Sequence, residues 1–191
     1  MTKEAVMIED TRPNTRPEPE FAVQAGIQLL KFDGIKLASS SSQFGRKPRW
    51  VEFELYRTTR GDYIVSRVGY SLFYHAADCY TVTRNNLEPV DGLSLSSAYI
   101  PCPKCKPNLT PDGVLPRTPH GAPQGVPDEV YPETPRRAGW RCFEASGVVN
   151  SLMKEDDNGT EYLTNVARRL LVEAAKLDRN ISDAFYVVRI D

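Results

Sequence analysis

Proline placement constrains this chain more than any other feature. Of fifteen prolines, ten fall between Pro101 and Pro135, and Pro13, Pro17 and Pro19 lie within the first twenty residues. Each proline fixes φ and removes a backbone donor, so Pro107 to Pro135, poor in large apolar residues, cannot form a helix or a central strand. This stretch is predicted to be an extended arm. Either it is a flexible spacer, or Val114, Leu115, Val126 and Tyr131 dock it on the rest of the chain. The prolines thus divide the sequence into a disordered tail over 1–20, a β-rich region over 21–109, a linker over 110–135 and a helical segment over 136–191.

Before the linker the pattern is β. Ile27 to Phe32, then Asp33-Gly34, then Ile35 to Ala38, is an apolar run, a turn dipeptide and a second run, which predicts a hairpin. In Trp50 to Tyr56, Val51, Phe53 and Leu55 alternate with Glu52 and Glu54, as in a half-buried strand. Thr58 to Gly61 supplies a turn, and Tyr63 to Val68 and Ser71 to Tyr74 extend the meander. Arg60-Gly61-Asp62 is read as part of that turn, not as an adhesion motif.

After the linker the period changes. Leu163, Val166, Leu170, Ala174 and Leu177 form one stripe of a helix predicted over Glu161 to Leu177, with Asn158 and Glu161 as a capping-box variant. Val148 to Lys154 suits a second short helix, and the Glu155-Asp156-Asp157 run is expected just before a helix N-terminus. Ala184 to Ile190 is either a terminal strand or a last helical turn. The expected fold class is α+β: a small antiparallel meander with the C-terminal helix packed on it. Trp140 and Phe143 would add apolar area, with Cys142 buried and inert between them; its rival roles are a replacement ligand or a reactive thiol.

At 191 residues, 40% hydrophobic and 26% charged, the chain is of ordinary soluble composition. Apolar stretches such as Val68 to Tyr74 fall well short of the roughly 20 residues that cross a bilayer, and Met1 to Asp10 lacks the features of an export signal. The expected location is the cytoplasm, with no membrane partner. Four cysteines are too few for a disulfide scaffold and, in a reducing compartment, point to metal binding or burial.

His75, Cys79, Cys102 and Cys105 run His-x3-Cys, a gap of 22 residues, then Cys-x2-Cys. All are zinc-ligand types. Cys102-Pro103-Lys104-Cys105 can turn its two thiolates onto one ion while His75 and Cys79 complete a tetrahedron. Lys104 and Lys106 favour the thiolate forms by their charge. Four protein ligands leave no open position, so the pattern predicts a structural Zn2+. His120, without a nearby cysteine or carboxylate, is read as an exposed bystander.

The stretches FYHAADCY (Phe73 to Tyr80) and SLSSAYIPCPKCKP (Ser94 to Pro107) resemble the metal-binding domain of the Ada DNA-repair protein over about residues 62–107. The resemblance implies a small β-sheet with short helices around one zinc, with Ser94 to Ala98 as one of them. It also carries a departure. Ada has a cysteine, the methyl acceptor, where this chain has His75, and an imidazole is a far poorer alkyl acceptor than a thiolate. Methyl transfer is therefore not expected, and DNA contact follows from the resemblance only.

Arg46, Lys47, Arg49 and Trp50, with Arg57, Arg60 and Arg67, form a basic and aromatic set that can track a phosphate backbone, or equally protect strand edges. The net charge of −1 permits nucleic-acid contact without demanding it. No nucleotide-binding, metalloprotease or hydrolase motif identifies a catalytic residue or a small-molecule substrate. The sequence therefore predicts a non-enzymatic zinc-binding accessory protein that contacts nucleic acid, or alternatively a protein-interaction subunit with a purely structural zinc.

Overall fold

The computed structural model describes residues 21–45, 47–96, 98–105 and 129–186. Its centre is a four-stranded antiparallel sheet. Strands β3 (Gly34–Ser41), β4 (Arg49–Thr58) and β5 (Tyr63–Ser71) form the expected meander. The fourth strand, β10 (Arg136–Cys142), pairs with β5 from beyond the proline-rich segment, placing Trp140 opposite Val65. The sheet order is therefore β10-β5-β4-β3. The segment from Arg136, expected to be helical, opens with a sheet strand.

The hairpin is displaced from its predicted position. Strands β1 (Phe21–Ala25) and β2 (Gln28–Phe32) pair with each other about Gly26, whose φ of 62° suits a tight turn. Asp33-Gly34 instead passes the chain from the hairpin into the sheet, where Gly34 pairs with Thr58. A Cβ on Gly34 would lie 2.2 Å from the Arg57 carbonyl oxygen, so the crossing requires glycine. The hairpin lies on one face of the sheet, where Phe21, Val23, Leu30 and Phe32 gather with Tyr56 and Ile64.

The opposite face carries helices. These are α2 (Ala145–Leu152), α3 (Asn165–Ala175) and α4 (Arg179–Tyr186), numbered after α1 (Tyr80–Asn85). Val51, Phe53, Leu55, Tyr63 and Val65 meet Val148, Leu152, Leu170, Leu171 and Ile181 in the main core, as the alternation in β4 requires. Helix α3 packs on β3 and β4, as predicted, but it is shorter than Glu161 to Leu177. Glu161 and Leu163 belong to a two-stranded ribbon of β11 (Met153–Glu155) and β12 (Glu161–Leu163), while Leu177 is exposed. Thr164 caps the helix by accepting from the Ala167 N–H at 3.3 Å, because Asn158 is committed to the ribbon turn. The acidic run sits in that same turn, where Asp156 accepts from the Asn158 and Thr160 N–H groups, and does not precede a helix. At the C-terminal end the structure shows helix α4; residues 187–190 of the predicted strand or turn lie outside the described residues.

Asp178 ties the helical layer to the sheet. It is buried, accepts from the Tyr63 hydroxyl at 3.1 Å and from the Ile181 N–H at 3.1 Å, and pairs with Arg57 at 3.2 Å. Cys142 is buried beneath α2, as expected, and burial pushes its thiol above the ordinary value.

Residues 72–135 form an insertion between β5 and β10. Ser71 to Tyr74 does not continue the meander: β5 stops at Ser71, and β6 (Phe73–His75) enters a second sheet. That sheet has the order β7-β9-β6-β8, with β7 (Val90–Asp91), β8 (Ile100–Pro101) and β9 (Glu129–Pro132). Only β6 and β8 run parallel. Strand β9 is the end of the predicted linker: Tyr131 pairs with His75 and Val130 is fully buried. Val114, Leu115, His120 and Val126 lie outside the described residues. Among the described residues a 3-10 turn at Gly92–Ser94 stands where the sequence predicted a helix over Ser94 to Ala98, and the α-helix of the module is α1. Among the described residues, no helix is long and apolar enough to cross a membrane.

Candidate metal centre

The insertion brings His75, Cys79, Cys102 and Cys105 together, each offering one ligand atom, with all four atoms within 4.8 Å of one another. Each is placed by backbone hydrogen bonding. His75 ends β6, pinned by pairing with Tyr131. Cys79 follows a turn closed by its N–H donating to the Ala76 carbonyl at 3.0 Å, and its own carbonyl starts α1 by accepting from the Val82 N–H at 2.9 Å. Cys102 leaves β8 with its N–H on the Tyr74 carbonyl at 2.8 Å, and the Cys105 N–H closes the Cys-Pro-Lys-Cys turn on the Cys102 carbonyl at 3.0 Å.

The spacing suits a tetrahedral ion. Zinc bonds of about 2.3 Å to sulfur and about 2.0 Å to nitrogen imply sulfur–nitrogen edges of roughly 3.5 Å. His75 Nδ1 lies 3.4 Å from Cys79 Sγ and 3.8 Å from Cys105 Sγ. His75, Cys102 and Cys105 are buried, whereas Cys79 is partly exposed. The Cys79 thiol is lowered to about 7: burial opposes its ionisation, but hydrogen bonding from Cys105 and Thr81 prevails. Burial, reinforced by Cys79 and Cys102, pushes Cys105 up to about 12. A bound cation would favour the deprotonated form of all three thiols and relieve their crowding.

The imidazole is oriented from behind. His75 directs Nδ1 at the thiols, and its Nε2–H donates to Glu133 Oε1 at 3.1 Å. Glu133 in turn pairs with Arg49, whose guanidinium lies 4.8 Å from the Phe73 ring centroid. Despite burial, hydrogen bonds from Ser71, Arg49 and His75 hold the Glu133 carboxyl below its ordinary range. A carboxylate behind a histidine fixes the tautomer and raises the basicity of the free nitrogen, an arrangement typical of metal-bound histidines. Glu133 carries no signal in the sequence, where it is one acid among prolines.

The basic set does not converge in the same way. Arg46 lies outside the described residues, and Lys47 is exposed ahead of β4. Arg49 serves Glu133, and Arg57 serves Asp178. Trp50 stacks on Tyr70 with centroids 5.0 Å apart and donates its Nε1–H to Glu52. Strand alternation sets Trp50 on the face opposite Arg49, Arg57 and Arg67, while Arg60 occupies the turn at the far end of β4. As a set these residues are spread over both faces of the sheet and both ends of β4.

No family model, curated protein or solved structure matches the chain. The likeness to the Ada metal-binding domain therefore rests on the residues of the motif alone.

Proposed function

We propose that this chain is a non-enzymatic accessory protein of the cytoplasm that binds zinc through His75, Cys79, Cys102 and Cys105 and contacts nucleic acid. The observation that carries the reading is the convergence of three sulfurs and one imidazole nitrogen within 4.8 Å, with Glu133 behind the imidazole. Soft thiolates with one imidazole suit zinc, and four protein donors leave no position for water or substrate. The ion supplies cross-linking. Strands β7 and β8 have two residues each and α1 has six, too little for the module to persist on its own hydrophobic contacts. Methyl transfer forms no part of this reading, because His75 stands where the Ada-type acceptor cysteine would be. The cytoplasm keeps such thiols reduced and available to metal.

Cationic side chains around the metal module support the nucleic-acid part of the reading. The alternative, a protein-interaction subunit with a purely structural zinc, draws on Ile27 and Leu29, exposed at the tip of the β1–β2 hairpin beside a cavity of about 800 Å³. Titration of the metal-loaded protein with DNA over a range of salt separates the two. Binding with a steep salt slope supports nucleic acid; no binding at low salt favours the protein partner.

A further inference from the structure

A groove of about 640 Å³ runs between the main sheet and the metal module. Among the described residues five cations line it, Arg49, Arg67, Arg84, Lys104 and Arg136, against the single carboxylate of Glu133. That carboxylate is already spent on Arg49 and His75. Arg67, Arg84 and Lys104 make no ion pair with any described residue, and Arg136 donates only to the neutral Asn85 amide at 2.7 Å. The groove thus carries a surplus of positive charge that no described residue neutralises. Tyr80 completes the wall. It is 73% exposed, on a helix with no buried residue, so its ring adds nothing to any core.

We infer that this groove holds a single strand of nucleic acid, with Arg67, Arg84, Lys104 and Arg136 on its phosphates and Tyr80 as a stacking surface for a base. The inference rests on the nucleic-acid reading above and places it at a site that Arg49, Trp50 and Arg67 of the sequence-predicted set help to line. Shape decides between strand and duplex. Duplex readers insert a projecting helix or ribbon into a groove of the DNA, whereas a concave cationic channel edged by an exposed aromatic ring tracks one strand. The metal centre builds one wall: Lys104 lies between ligands Cys102 and Cys105, and α1, carrying Tyr80 and Arg84, begins at ligand Cys79.

The test is fluorescence anisotropy of a labelled oligo-dT of about 15 nucleotides with the full metal-loaded chain. Arg84→Gln and Lys104→Gln alter exposed side chains, and each is expected to weaken binding about 3- to 10-fold and to reduce the salt slope by roughly 0.7. Arg60→Gln, about 30 Å away along β4, is expected to bind as the parent does. Loss of affinity confined to the groove variants supports the inference. Oligo-dT binding that neither groove variant weakens overturns the groove while leaving the nucleic-acid reading intact. Failure to bind oligo-dT or duplex at low salt overturns both, and tighter binding of a duplex of equal length overturns the single-strand assignment.

Discussion

Replacing Glu133 by Gln perturbs the metal centre without touching a ligand. The backbone at this position stays fixed by its N–H on the Phe73 carbonyl at 2.9 Å, so the substitution leaves the strand in place. The glutamine oxygen can still accept from His75 Nε2–H. Its amide group, however, would face the Arg49 guanidinium, which has only donors to offer, so either the amide turns away from Arg49 or its oxygen turns away from His75. In both cases the imidazole loses the negative charge that raises its basicity. With the Glu133 side chain only 12% exposed, water replaces little of that loss. Loss of such an outer partner costs 10- to 100-fold in metal affinity, or about 1.4 to 2.7 kcal/mol. The assay is competition for zinc against a chromogenic chelator, comparing parent, Glu133→Gln and Arg49→Gln, with a smaller effect expected for Arg49→Gln. A Glu133→Gln variant that holds zinc as tightly as the parent would refute the orienting role of the carboxylate.

Two further outcomes follow from the main body. Asp178→Ala strands the Tyr63 hydroxyl in a buried site and removes the partner of Arg57, for an expected loss of about 2 to 3 kcal/mol in urea unfolding; Arg57 is partly exposed, which keeps the value below that of a fully buried pair. Loss below about 0.5 kcal/mol would show that the helices hold to the sheet without it. Lys36 and Tyr56 hold the Glu54 carboxyl below its ordinary 4.5 against the opposing pull of burial. A depressed carboxylate stabilises the fold above its unfolded pKa, and that stability is lost as pH falls through the folded value. Glu54→Gln is therefore expected to flatten the fall in stability between about pH 5 and about pH 3; an unchanged acid limb would contradict it.

Much of the site was legible because it is short-range. His-x3-Cys and Cys-x2-Cys each close within one turn, so residue type and spacing already describe both halves of the cluster. Val51, Phe53 and Leu55 were legible in β4 for the same reason, as were Val166, Leu170 and Ala174 in α3. Long-range pairing left no such trace. Nothing near Arg136–Cys142 announces that it will pair with β5, since the Trp140–Val65 partnership spans the whole insertion. Asp33-Gly34 misled because its dipeptide suits a hairpin, while the core required Phe21 and Val23 to fold back on Leu30 and Phe32 instead. The basic set divides between the two faces of the sheet for a reason visible in the alternation itself. Arg49 and Arg57 share parity with the core-facing Val51, Phe53 and Leu55, whereas Trp50 takes the other face.

The proposed metal site is one ion held by three sulfurs and one nitrogen. X-ray absorption at the zinc edge, on protein purified without chelators and assayed for metal content, tests this most directly. The expected result is one zinc per chain, with three sulfur neighbours at about 2.3 Å and one nitrogen at about 2.0 to 2.1 Å, and loss of that shell in Cys105→Ser. Absence of stoichiometric zinc, or a shell dominated by oxygen, would contradict it.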